Sequence, residues 1–148
     1  MYTADIVARY IIDYSYDKNK PMSNLRLQKT LYFVQAEFLV TKGQPCFSDE
    51  IYAWELGPVV PSVYHEYKVY GSSPIPSHGT SGEYYGISNH DAFLINEMVD
   101  QCNKYSTSSL VQFTHEQKPW KTAYHSADRL IAKDAISSFF SEGAKNGN

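Results

Sequence analysis

"LRLQKTLYFVQAEFLV", residues 25–40, decides how the rest of the chain is read. Leu27, Leu31, Val34 and Phe38 recur at helical spacing on one face, and Leu25, Tyr32, Ala36 and Leu39 widen it. Only Arg26, Thr30 and Glu37, with Lys29 and Lys42 nearby, leave a narrow strip for solvent. A helix apolar on most sides belongs at the centre of a domain, with other helices packed around it. Ser23 suits its N-cap and Gly43 its terminator, which gives about five turns from Asn24 to Lys42. Gln28, Tyr32 and Gln35 share one flank of this helix. Polar groups so near a core need hydrogen-bond partners, from the fold or from a ligand.

Working outward, Thr3 caps a first helix with an apolar stripe of Ile6, Val7, Tyr10, Ile11 and Tyr14. After Gly43, a short strand is expected around Glu50 to Trp54. Pro58 and Pro61 suit the first turn of a following helix that carries Val59, Val60, Val63, Tyr64 and Tyr67 and ends before Gly71. Residues 71–88, "GSSPIPSHGTSGEYYGIS", concentrate glycine, serine and proline and predict a flexible loop with a hairpin-like "EYYGI". Ser88 or Asn89 then caps a helix whose face is Ala92, Ile95, Met98, Val99 and Cys102. Thr107 caps a shorter one with Leu110, Val111 and Phe113, and "KPWKTAYHS" reads as a loop or irregular turn. A last helix, Lys133 to Ser141, buries Ile136, Phe139 and Phe140, and residues 142–148 are expected to fray.

The predicted fold is therefore mainly α: one domain over residues 1–148, with five to six helices around a central apolar helix and a small β element. The 43% hydrophobic and 20% charged fractions are ordinary for a globular chain, whereas 13 tyrosines lift the aromatic content to 15%. Tyrosine serves cores and interfaces alike, so the excess favours a binding protein only modestly. A net charge of −3 argues against nucleic acid as a partner. Between Lys42 and Lys68 the chain has no lysine or arginine but carries Asp49, Glu50, Glu55 and Glu66. That stretch is either a solvated face or an acidic surface that steers a basic partner. Cys46 and Cys102 lack metal spacing and read as free thiols of a reduced, cytoplasmic protein. No stretch has the length of a membrane span, and the N-terminus lacks a signal-peptide pattern.

Reactive chemistry finds little support. His65–Glu66 and His115–Glu116 are adjacent pairs, and neighbours on a helix diverge by about 100° instead of converging on one atom. His78, His90 and His125 fall in loops or at element ends. No metal-ligand spacing and no phosphate-binding signature is present, so no metal or cofactor is expected. Two alternatives stay open. One is a small hydrolase-like enzyme using a Cys/His pair such as Cys102 with His115. The other is a DNA-binding autoregulator using the basic stretch Lys118 to Lys133.

Three blocks occur in order. Leu25, Leu27, Gln28, Lys29, Tyr32 and Gln35 form the first, and Glu50, Trp54, Gly57, Pro58, Val59, Pro61, Val63 and Tyr64 the second. Thr114, His115, Pro119 and Trp120 form the third. Together they resemble the Panacea domain of SocA-like antitoxins, a family that also includes phage-associated GepA-like proteins. The resemblance implies a non-enzymatic antitoxin that neutralises an adjacently encoded toxin by direct protein–protein contact. Members pair with unrelated toxins, so the motifs do not name this one. The segment from Ser72 to Tyr85 matches nothing family-wide.

Within the motifs, Gly57 and Pro58 are explained by turn and helix-start geometry alone, while Tyr52, Trp54, Tyr64 and Tyr67 beside Glu55 and Glu66 offer aromatic anchors ringed by carboxylates. The latter six are the candidate partner-binding residues, suited to a basic toxin. Gln28, Lys29, Tyr32, Gln35, Gly57, Pro58, Pro61, His115, Pro119 and Trp120 are candidate architectural residues.

Overall fold

The computed structural model describes residues 1–79 and 85–145. Its elements run α1 (Ala4–Asp17), α2 (Asn24–Lys42), β1 (Ile51–Trp54), β2 (Gly57–Val59), α3 (Pro61–Tyr67) with a 3-10 turn (Lys68–Tyr70), α4 (Asn89–Cys102), α5 (Thr107–His115), α6 (Lys118–Tyr124), β3 (Leu130–Ile131) and α7 (Lys133–Lys145). The fold is mainly α, with a small antiparallel sheet in the order β2-β1-β3. Among the described residues no helix is long and apolar enough to cross a membrane.

The central helix is α2, which packs against α1, α4, α5, α7 and β2. Ser23 caps it by accepting from the Arg26 amide, and Gly43 ends it in the left-handed conformation at φ 67°. Leu27, Leu31, Val34 and Phe38 are buried, as the spacing predicts. Lys29 and Thr30, expected on the solvent strip, are instead fully buried, so the exposed face is narrower than the polar pattern implies.

Four further expectations change. Pro58 does not begin a helix: it lies in β2 opposite Ala53, and α3 starts at Pro61 with Val60 as its N-cap. An edge strand tolerates proline on the side where no partner needs its amide. "KPWKTAY" is a helix, α6, because Pro119 falls in the first turn, where a missing N–H leaves nothing unpaired. Ser106, not Thr107, caps α5. Finally, α7 runs on through Lys145, into the stretch expected to fray, while residues 146–148 lie outside the described residues. The hairpin expected at 83–87 also falls partly outside them.

Much of the tyrosine excess is used between α1 and α4. Tyr2 donates to Asp91 Oδ2 at 2.5 Å, Tyr10 to Asn96 Oδ1 at 2.8 Å, and Tyr14 to the Asp100 carboxylate at 3.0 Å. The preceding loop is tied to α1 by Asp13, which accepts from Ser77 Oγ, the His78 amide and the Tyr85 hydroxyl. These bonds hold the Asp13 carboxyl below its ordinary value although burial works against them.

Gln35 pins the chain where it leaves α2. Its Oε1 accepts from the Cys46 and Phe47 amides at 2.8 and 3.2 Å, and its Nε2 donates to the Phe47 carbonyl at 2.9 Å. Gln35→Leu keeps the volume but strands three buried backbone groups. The expected loss is about 3 kcal/mol or more, read from the midpoint of urea unfolding.

Candidate functional site

The turn between β1 and β2, residues Trp54 to Gly57, gathers all three sequence blocks. From below, α2 holds it. Lys29 Nζ, fully buried, donates to the Pro58 carbonyl at 2.9 Å. One residue earlier on the helix, Gln28 Oε1 accepts from the Val60 amide at 2.9 Å while its Nε2 donates to Asn24 Oδ1 at 3.0 Å. Asn24 in turn donates to the Tyr64 carbonyl at 3.1 Å. From the side, α5 and α6 close on it: Trp120 Nε1 donates to the Trp54 carbonyl at 2.9 Å, and His115 Nε2 to the Glu55 carbonyl at 2.8 Å. The last bond fixes the proton of neutral His115 on Nε2, since a carbonyl only accepts. Tyr32 OH reaches Gln117 Oε1 at 2.7 Å and ties α2 to the start of α6.

Gly57 is required at its position. Its φ is +117°, and a Cβ there would lie 2.6 Å from Lys29 Cε and 2.9 Å from Thr114 Oγ1. Pro119 is buried at the start of α6, and Pro61 opens α3. Of the residues grouped as architectural, all but Gln35, which holds the Cys46–Phe47 backbone, lie at or next to this short turn.

On the outer side of this turn, Trp54 and Tyr64 pack edge to face with centroids 5.1 Å apart, and His65 joins both rings at 6.2 and 5.5 Å. Tyr52 and Trp54 are half-buried on the face of β1 opposite Ile51 and Ala53, and Glu55 is exposed. Glu66 is exposed as well but lies 3.5 Å from Arg9, and a hydrogen bond shared with Asp5 raises its carboxyl above the ordinary value. Tyr67 is not part of the surface. It is 3% exposed, and its hydroxyl sits 3.2 Å from His78 Nε2. Two residues of this face escape sequence reading: Leu56, 54% exposed at the tip of the turn, and His65. An exposed leucine on a two-residue turn carries no periodic signal. The second aromatic row, His115–Trp120–Tyr124, stacks at 4.2 and 4.6 Å and ends under the Arg129 guanidinium.

Among the described residues no hydrogen bond joins Cys46 or Cys102 to a histidine. Burial pushes the Cys46 thiol up to about 12 and Cys102 up to about 11, the direction opposite to a nucleophilic thiolate. His115 is engaged with the turn. The basic stretch is divided: Lys118 and Lys121 lie on α6, Arg129 lies over Tyr124, and Lys133 pairs with Glu50 at 2.9 Å.

A family model described as "Antitoxin SocA-like, Panacea domain" matches residues 27–121. The chain belongs to this family. The Panacea match begins within α2 and ends within α6, so it contains both the grip on the turn and the turn itself. Antitoxin SocA of Caulobacter vibrioides (strain NA1000 / CB15N) is 43% identical over 68 residues, a stretch covering 46% of this chain and 36% of that protein. No solved structure matches the chain significantly.

Two outcomes follow for this Panacea domain. Gly57→Ala combines an unfavourable backbone conformation with a clash against buried atoms, so a loss of about 3 kcal/mol is expected in urea unfolding. The second concerns pH. Burial without a counter-charge pushes the Lys29 amine down to about 7 from an ordinary 10.5. Between those values the folded chain binds fewer protons than the unfolded one, so stability rises with pH, by up to about 1.4 kcal/mol per unit. The rise is best read from pH 7 to about 8.5, above which ionising cysteines in the unfolded chain oppose it. Lys29→Met should flatten that part of the profile.

Proposed function

We propose that this chain is an antitoxin that neutralises a cognate toxin by direct contact through the outer face of the Trp54–Gly57 turn. Family membership supplies the antitoxin role, and one observation carries the choice of surface. Three sequence blocks converge to hold a short turn that presents Leu56, Trp54 and Glu55 outward, with Tyr64 and His65 beside it. A turn needs no such support merely to connect two strands. Rigidity of this kind lowers the entropy lost on association, and aromatic anchors in a partly apolar setting are the residues that dominate binding energy. Glu55, exposed and without an ion pair among the described residues, suits a basic toxin.

The test begins with the product of the adjacent reading frame, co-expressed with this chain. Capture of that product by the tagged chain and rescue of growth are the expected results. Trp54→Ala with Tyr64→Ala should leave the helical circular dichroism in place while reducing capture at least tenfold, about 1.4 kcal/mol or more. Full protection by a folded double variant would reject this surface. Charge reversal at Glu55 should slow association and weaken its salt dependence. An unchanged rate would remove the electrostatic part.

A further inference from the structure

Beside the turn lies a cleft of about 410 Å³, open to solvent, between the start of α2, the β1–β2 turn and the end of α3. Leu25, Leu56 and Val59 give it apolar walls, and Trp54 and Tyr64 line it with aromatic rings. Glu55 contributes a carboxylate that forms no ion pair among the described residues. Lys68 also lines it, from the end of α3, with its ammonium 3.4 Å from His65 Nδ1.

Resting on the antitoxin reading above, we infer that this cleft receives an arginine side chain of the partner. The argument is one of matching chemistry. An occupant must cover apolar wall along most of its length and meet a negative charge at one end. An aliphatic stem with a cationic head does both. Among cations, the planar guanidinium stacks on indole and phenol faces and pairs with a carboxylate, whereas an ammonium is a compact, strongly hydrated point charge. Of the four carboxylates in residues 43–67, Glu50 pairs with Lys133, Glu66 with Arg9, and Asp49 accepts from the Ala4 amide, so the negative charge offered to the cleft is that of Glu55. Lys68 places a positive charge at the α3 end, so the guanidinium is directed to the Glu55 side and away from that end. The cleft is preformed, because Asn24 and Gln28, which also line it, are fixed by hydrogen bonds to the Tyr64 carbonyl and the Val60 amide.

The experiment titrates the isotopically labelled full chain with four peptides of one Gly/Ser frame, differing only in a central arginine, lysine, leucine or glutamate. The readouts are the Trp54 indole and the Asn24 and Gln28 side-chain amide resonances. The arginine peptide should shift all three and bind about fivefold tighter than the lysine and leucine peptides, with the glutamate peptide weakest. Glu55→Gln, which leaves the walls in place, should erase most of that preference. Equal binding of the lysine or leucine peptide, or no shift with any of them, overturns the assignment. Co-purification with the neighbouring gene product keeps the two readings apart. If the product is captured equally by wild type and Glu55→Gln and the peptides show no preference, the cleft assignment fails while the antitoxin reading stands. If the arginine peptide is preferred but no product is captured, the antitoxin reading is the one that falls.

Discussion

The structure depends on the polar row that α2 carries into the core. Gln28, Lys29 and Gln35 each reach a backbone group of the segment 47–60. That segment has only short stretches of regular structure, so its carbonyls and amides cannot all be paired by helix or sheet. Buried peptide groups left unpaired would cost roughly 1–3 kcal/mol each. The side chains of a rigid helix remove that cost at fixed positions, and they thereby dictate the path of the chain over α2. A hydrophobic residue at any of the three positions could fill the space but could not set the path.

Lys29 shows why this arrangement is hard to read in a sequence. On a helical wheel a lysine marks the outside, and a one-dimensional pattern offers no reason to turn it inward. The reason is the Pro58 carbonyl, 29 residues away in the chain, together with a glycine that leaves room for the stem. Gln28 and Gln35, by contrast, fall on a flank beside Tyr32, where periodicity alone demands that a partner exist. The need for partners was thus legible, and their identity was not. Pro58 and Pro119 make the same point in opposite directions: proline suits helix starts and strand edges equally. Pro58 lies on the strand, paired opposite Ala53 of β1, and Pro119 in the first turn of α6, from which Trp120 donates to the Trp54 carbonyl. The long helices α1, α2 and α4 were legible because each carries its own cap and apolar face, whereas the short α6, opened by a proline, was not.

Tyrosine content illustrates a further limit on composition. Tyr2, Tyr10 and Tyr14 bond across to α4, Tyr32 to α6, and Tyr67 and Tyr85 to the groups around Asp13 and His78. These hydroxyls join elements far apart in sequence, and burial or a neighbouring carboxylate raises the pKa values of Tyr2, Tyr10, Tyr14, Tyr32 and Tyr67. Only Tyr52 and Tyr64 of the candidate set are left on the outer face. Tyr16, Tyr70 and Tyr105, with Phe93 and Phe113, are exposed elsewhere on the molecule, so location rather than number distinguishes the two uses.

The same hydrogen bonds that stabilise the fold also shape the face proposed for binding, which constrains how substitutions are interpreted. A change at Lys29, His115 or Trp120 alters the turn from behind, at side chains that do not belong to its outer face. Loss of binding from such a change reports on the position of the turn. Loss from Glu55 or Leu56, whose side chains project into solvent and hold nothing else in place, reports on contact. The two classes separate on one physical ground: the first lowers folding stability together with binding, because it leaves a backbone carbonyl without its donor. The second leaves stability where it was.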